Sequence, residues 1–403
     1  MTPGADAPFE FDPFDEATRR DPFPLFARAR REHPVWAPAG APVVSIFRYD
    51  DIQAVLRDPT TWSNAFPPPP GFEPEDLPPS MLVTDPPAHT RLRGLVSQAF
   101  TPRMIRRLEP RMNEIAEELV NAAVARGRVD LVEALTYPLP VIVIAEIIGI
   151  PTEDRAQFKE WSDAAVENLG AVFMGPLPPE QIARQRRVRV EMQDYFRGLV
   201  DERRRRPCED LLSGLVAAEI EGSRLTFDEL IAMLLLILVA GNETTTTLIG
   251  NAVLELLAHP VALDTLRARP ELLPDAVEEV LRFSSPIQMD PRRAARAADI
   301  RGHRVEAGQI VLSWLGSANR DETIFERPDE FDIARRDNRH LGFGFGPHYC
   351  LGASLAALEA QVALRVLLAR ARSIRRVDDA PLPLHPSFVF RAVTSLPLEL
   401  EAA

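Results

Sequence analysis

The apolar residues of this chain recur mostly at helical spacing, and Pro and Gly mark where that spacing stops. Pro22–Glu32 and Tyr49–Arg57 predict short helices, the second with Asp50 and Asp51 at its N-terminus. Between them, Val35–Trp36 and Val43–Phe47 predict strands that turn at Gly40. Residues 1 to 20 are rich in Pro and acids and predict irregular structure. So do residues 60 to 79, whose Pro67–Pro70 and Pro78-Pro79 exclude regular helix or an inner strand. From Pro86 to Arg206 the pattern is helical, with breaks at Thr101-Pro102, Gly127, Pro138, Gly149–Pro151 and Gly170–Pro179. Leu211–Glu219 adds another helix.

Thr226-Phe-Asp-Glu229 matches a capping box and opens a helix predicted to run to His259-Pro260. Leu230–Ala240 is apolar nearly all round, so this helix belongs in the middle of the molecule. Shorter helices follow near Val261–Arg267 and Pro274–Phe283. After residue 286 come short strands, turns such as Glu306–Gln309 and loops, then a long Leu/Ala helix from Leu351. The tail reads as strand over Ser373–Val377 and Phe388–Leu400. No repeat or linker divides the chain. The reading is mainly α with small β-sheets, one large domain over residues 1–403 built on a long central helix.

Composition narrows the function. A hydrophobic fraction of 46% supports a large core. Two cysteines exclude a disulfide scaffold and fit a reducing cytoplasm. The first residues lack the pattern of a signal peptide, and Leu230–Ala240 is too short to span a bilayer, so the expectation is a soluble monomer without membrane contact. A net charge of −13 argues against nucleic acid as partner. Arg203–Arg206 is then a solvated helix end, where cations complement the dipole.

Two constellations carry chemistry. Phe343-Gly-Phe-Gly-Pro-His-Tyr-Cys-Leu-Gly352 puts Cys350 on a glycine-rich loop at a helix N-terminus, where free N–H groups and the dipole favour a thiolate. The sulfur could be a metal ligand or a nucleophile, with His348 as base; Cys208 is too distant for a zinc or iron–sulfur site. In the long helix, Ala240-Gly-Asn-Glu-Thr-Thr245 places Gly241, Glu243 and Thr244 after a wholly apolar run. The Thr244 hydroxyl can return to the carbonyl of Ala240 and open the helix locally. An acid beside an alcohol at such a point can relay protons.

The pattern Phe343-x-x-Gly346-x-x-x-Cys350-x-Gly352 resembles the haem-binding loop of the cytochrome P450 family, and Glu243-Thr244 resembles that family's acid–alcohol pair. Glu279-Val-Leu-Arg282, alone a common surface pair, resembles the family's Glu-x-x-Arg helix. The resemblance runs from Asp21 to the C-terminus and implies a haem b whose iron is ligated by Cys350. It implies that Thr244 orders dioxygen and Glu243 supplies protons. Around the haem it nominates His89 and Arg93, which share a helix face, with Ala240, Gly241, Arg292 (or its neighbour Arg293), Phe343, Gly344, His348 and Gly352. Glu279 and Arg282 become a structural lock whose third partner is Arg335, since Glu330 stands where the family commonly has Arg before the Phe. Leu355-Ala-Ala357 departs from the family's Leu-Ala-Arg.

By position in the family, the substrate pocket is lined by Leu236, Val239 and Ala240, by Ile287, Gln288 and Met289, and by Phe388 and Val389, with Val166, Leu169 and Phe173 in the roof. The substrate implied is mainly hydrocarbon: a fatty acid, terpenoid, steroid or macrocyclic polyketide. The chain contains no dinucleotide or cluster motif, so electrons would come from a ferredoxin and its NAD(P)H-dependent reductase. Arg103, Arg106, Arg107 and Arg111 form either its basic docking patch or a solvated helix face. The resemblance makes the chain a monooxygenase. The alternatives are a haem-binding sensor or recruiting subunit of the same fold and, more remotely, a cysteine hydrolase using Cys350 and His348.

Overall fold

The computed structural model describes residues 9–38, 42–68, 72, 80–154, 157, 158, 160, 161, 164, 178–220 and 222–403. The N-terminal stretch predicted to be irregular contains a short helix, α1 (Glu16–Arg20), because the Asp15 side chain accepts the Thr18 amide and caps it. Next come α2 (Phe23–Glu32), β1 (Val35–Trp36), β2 (Val43–Ile46), α3 (Tyr49–Arg57) and β3 (Trp62–Ser63). Punctuation then sets the helix starts: α4 (Ala88–Ala99), α5 (Pro102–Arg126) and α6 (Pro138–Ile148). Thr101 accepts the Met104 amide ahead of α5, while Pro102 lacks the N–H that a helix start leaves unpaired. Between α5 and α6 lie β4 (Arg128–Asp130) and a π-helical turn, Val132–Thr136.

After α7 (Pro179–Arg205) and α8 (Leu211–Ala217) comes α9 (Phe227–Ala258), opened by the Thr226/Glu229 capping box. α10 (Pro260–Ala268) and α11 (Leu273–Phe283) lead to strands β5 (Asp290–Ala294), β6 (Ala298–Ile300), β7 (His303–Val305) and β8 (Ile310–Ser313). The chain ends with α12 (Leu315–Ala318), α13 (Ala353–Arg370), β9 (Ala371–Arg376) and β10 (Pro397–Ala402). One sheet has the order β1-β2-β8-β5-β3, with β2 and β8 parallel (Val43 opposite Ile310); a second has β4-β10-β9, and β6 pairs with β7.

The main core gathers the inner faces of α5, α6, α9, α11 and α13. As a whole, α9 is long and apolar enough to cross a membrane, although Leu230–Ala240 alone is not. It is instead the core helix, packed against α6, α11 and α13. Two expectations are corrected. The predicted tail strand Ser373–Val377 is present as β9, but of Phe388–Leu400 only the end, within Pro397–Ala402, is a strand; residues 383–394 fold back on themselves, with His385 N–H donating to Ala392 and Thr394 to Pro383, around a Pro386 that has no N–H for a ladder. The Arg203–Arg206 run is not uniformly solvated. Arg203 is buried and staples α7 to its neighbours, donating to Asp210 at 2.6 Å and to the Gly149 carbonyl at 3.1 Å.

Candidate active site

The cysteine loop is held by its backbone. Cys350 N–H donates to the Phe343 carbonyl at 2.9 Å, and Gly344 N–H to that of Leu341 at 2.8 Å. Gly346 sits at φ 73°, and a Cβ there would meet the Leu56 carbonyl oxygen at 2.5 Å, so only glycine lets the loop close against α3. Cys350 is half-buried at the mouth of α13, where the Gly352 N–H points at its sulfur. That donor and the nearby Arg93 favour the thiolate, as the helix N-terminus predicts. Burial outweighs both and pushes the Cys350 thiol up. The loop alone therefore does not hold a thiolate; a cation bound to the sulfur would.

Beside the loop, four nominated residues come together. α4 carries His89 and Arg93 on one face, and β5 carries Arg292 on the same side as Asp290. The His89 and His348 rings lie 4.1 Å apart. His348 is pushed down to about 3, first by burial and then by His89 and Arg292. His89 is lowered by burial and Arg93, and Arg93 by burial. Crowded cations and neutral rings of this kind call for an anion. His89 Nε2, His348 Nε2 and Arg292 Nη2 are buried without a hydrogen-bond partner among the described residues, while Arg292 Nη1 meets Asp290 at 2.5 Å. Orphaned donors at a cavity edge fit the two propionates of a haem, and the Cys350 sulfur fits its iron. Arg293 is committed elsewhere: its Nε donates to the Ala65 carbonyl at 2.9 Å.

The cavity, about 1460 Å³ of space between atoms with its open mouth included, is lined by Cys350, Phe343, Gly344, His348, Gly352, His89 and Arg93, and across it by α9. The α9 stripe is Leu236, Ile237, Ala240, Gly241, Thr244, Thr245 and Leu248, the spacing of one helix face. Val239 lies off that stripe and does not line the cavity; Ile237 takes the place expected for it. The helix remains continuous here, although Thr244 Oγ1 does donate back to Ala240 at 2.6 Å. A Cβ on Gly241 would lie 2.6 Å from Ile144 Cδ1, so this glycine makes room for the tip of an α6 side chain against α9. Glu243 faces away from the cavity, toward His385.

Residues 287–289 are extended, and their sides alternate. Ile287 and Met289 reach the cavity, whereas Gln288 points the other way and donates to the Ser285 carbonyl at 2.7 Å. Phe388 and Val389 do not line it either. They close an aromatic cluster around Trp314, whose ring is 6.2 Å from that of Phe388. Val166, Leu169 and Phe173 lie outside the described residues. The reading missed Phe100, Ile144, Leu281 and Glu359, which also line the cavity. Glu359 had a signal: it is the lone acid of the apolar α13. It is 1% exposed, its Oε2 has no partner among the described residues, and burial pushes its carboxyl up to about 8.

Behind the loop, Glu279 and Arg282 are fully buried and paired through two bonds of 2.8 Å each. Arg335 reaches Glu279 at 3.1 Å, and Glu279 also accepts the Asp332 amide at 2.9 Å. Arg282 donates to the carbonyls of Asn319, Pro328 and Glu330, and Arg335 to those of Glu326, Arg327 and Glu330. One carboxylate and two guanidinium groups thus tie α11 to the chain leading into the cysteine loop. On α5 the basic run is thinner than expected, because Arg111 is bound to Glu146 and Glu114, which leaves exposed Arg103 and Arg106 together with exposed Arg107, itself 3.5 Å from Glu209.

The family model for cytochrome P450 matches residues 25–271 and 266–394. The cytochrome P450 monooxygenase PikC of Streptomyces venezuelae is 41% identical over 389 residues, 94% of this chain and 91% of that one. The structure of cytochrome P450 CYP109Q5 from Chondromyces apiculatus matches with a TM-score of 0.88 at 41% identity, covering 98% of this chain and 99% of that one. CYP109E1 from Bacillus megaterium, in complex with testosterone, gives 0.85 at 35% identity over 94% and 99% of the two chains. With this match along nearly its whole length, the chain belongs to the cytochrome P450 family, the haem-thiolate monooxygenases.

Proposed function

We propose that this enzyme inserts one oxygen atom of dioxygen into a C–H or C=C bond of a mostly apolar small molecule, with Thr244 and Glu243 governing proton supply. The observation that carries this is the shared cavity, where the Cys350 sulfur and the Thr244 hydroxyl stand among apolar side chains. When bound, haem supplies the activation of dioxygen and the transfer of its oxygen atom. Cys350 would hold the iron, and His89, Arg93, Arg292 and His348 the propionates. Phe343, Gly344, Gly352, Ala240 and Gly241 would shape the walls on either side.

Leu236, Ile237, Ile287 and Met289 exclude water and take up the hydrocarbon of the substrate. The Thr244 hydroxyl gives its hydrogen to Ala240, so its oxygen is left to accept a hydrogen bond from the cavity side. Glu243, one position earlier, is the acid that replenishes protons there. A steroid, fatty acid, terpenoid or macrocyclic polyketide fits this lining, and the relative CYP109E1, held with testosterone, supports an apolar reading. Electrons come from a ferredoxin and its reductase, drawn to exposed Arg103, Arg106 and Arg107. The enzyme works in the cytoplasm as a monomer.

The test is Thr244→Ala. The variant keeps its haem and its thiolate spectrum but loses roughly tenfold in product formed per electron, with hydrogen peroxide taking up the difference. Unchanged coupling sinks the proton-supply role.

A further inference from the structure

Glu243 needs a proton source, yet it turns away from the cavity that Thr244 faces, since neighbouring helical positions point roughly 100° apart. On that outer side its Oε1 lies 3.6 Å from Nε2 of His385, with side-chain exposures of 15% and 14%. His385 comes from the folded-back tail, far from α9 in sequence, and its ring is fixed on several sides. Nδ1 accepts the Ser387 N–H at 3.1 Å, the ring packs on Phe390 with centroids 4.8 Å apart, and the His385 carbonyl accepts from Arg19 of α1. With its lone pair at Nδ1 engaged, the neutral ring carries its hydrogen on Nε2, the atom facing Glu243. Burial, and then the Arg19 charge, hold the ring toward that neutral form. At 3.6 Å the contact is longer than a direct hydrogen bond and still close enough for the Nε2–H dipole to attract the carboxylate.

We propose that His385 is the positioning residue of the acid: its Nε2–H holds Glu243 on the outer face of α9, from which the carboxyl turns to serve Thr244. The tail thereby sets the proton supply of a site whose cavity it does not line. This rests on the reading of Glu243 as the acid.

The experiment uses substrate-free holoenzyme supplied with electrons by a [2Fe–2S] ferredoxin and its reductase. It reads hydrogen peroxide released per dioxygen consumed for wild type, Glu243→Gln, His385→Ala, His385→Gln and the double variant Glu243→Gln/His385→Ala. Each protein is first checked for its haem-thiolate carbon monoxide spectrum, which excludes misfolding. His385→Ala is expected to change the peroxide fraction about threefold in the direction of Glu243→Gln. His385→Gln, which keeps an N–H, restores it, and the double variant matches Glu243→Gln alone. If His385→Ala behaves as wild type, or shifts the fraction equally with and without Glu243, the positioning role is overturned while the acid stands. If Glu243→Gln itself changes nothing, the acid reading fails and the role of His385 falls with it.

Discussion

The two walls of the cavity are built from different kinds of residue. The wall that bears Cys350 rests on a glycine at positive φ pressed against a backbone carbonyl, and on a buried carboxylate gripped by two arginines. The wall facing it is a stripe of ordinary apolar side chains on α9. The first wall has little freedom to vary, because each part is an expensive arrangement that only its partner makes tolerable. The second fixes volume and hydrophobicity, which many side chains satisfy. The first wall is thus written in residues that look wrong in isolation, and the second in residues that look like core.

The sharpest way to break this contrast is Cys350→Ser. The expected outcome is complete loss of the red-shifted Soret band of the reduced carbon monoxide complex, with haem either lost or bound through a different ligand. A retained thiolate spectrum would remove Cys350 from the iron and leave the first wall without its purpose. Next in size is Glu279→Ala. It strands the Arg282 and Arg335 charges beneath the loop and should cost about 3–5 kcal/mol, read as a large fall in melting temperature and in haem content. Replacing the surface acid of an exposed pair, as in Glu271→Ala beside Arg269, should change melting by less than the scatter between preparations. Equal effects at the two sites would mean that Glu279 is decoration as well.

How far the sequence was legible follows the same division. Thr226 and Glu229 announce the start of α9, and Pro102 and Pro138 the starts of α5 and α6, because capping and proline chemistry are local. The site residues that share the cavity came from motif spacing, and Arg335 reaches Glu279 although its position departs from the commonest form of the motif. What did not follow from sequence is whatever depends on side-chain direction or on burial. Val239 and Ile237 are equally apolar and two positions apart, and only the packed helix says which one faces the cavity. Gln288 sits between two lining residues, and only the alternation of sides along residues 287–289 turns it away from the cavity. Phe388 serves an aromatic cluster with Trp314 that no local pattern specifies. Burial pushes the Cys350 thiol up because desolvation is a property of the folded site, whereas the helix N-terminus that favours the thiolate is visible in the sequence.

Glu359 sharpens the comparison from the other direction, since it places a titratable group where α13 would otherwise be apolar. Its carboxyl ionises near 4.5 in the open chain and is pushed up to about 8 by burial. The folded state therefore binds this proton more tightly than the unfolded state. The penalty is absent below about pH 4.5, grows as pH rises through that window, and is fully present above about pH 8. The slope should be worth a few kcal/mol at most. Holoenzyme melted from pH 5 to 9 should lose stability along this window, and Glu359→Gln should flatten the dependence whatever it does to the absolute melting temperature. Parallel curves for the two proteins would show that Glu359 has a proton-independent partner in the loaded enzyme.

A smaller effect tests the second wall itself. Ile237→Ala removes apolar surface from the cavity, and a bound hydrocarbon should lose about 1 kcal/mol of contact, a weakening of roughly fivefold in spin-state titrations. Val239→Ala removes surface from the opposite side of the same turn. Val239 is only half-buried and does not line the cavity, so the substitution should leave affinity within about twofold. The two substitutions are nearly identical in chemistry, so a difference between them can come only from which way α9 presents each side chain. If Val239→Ala weakened binding as much as Ile237→Ala, the stripe would have to be rotated toward Val239 in the ligand-bound enzyme, and the wall that looks passive would be the one that moves.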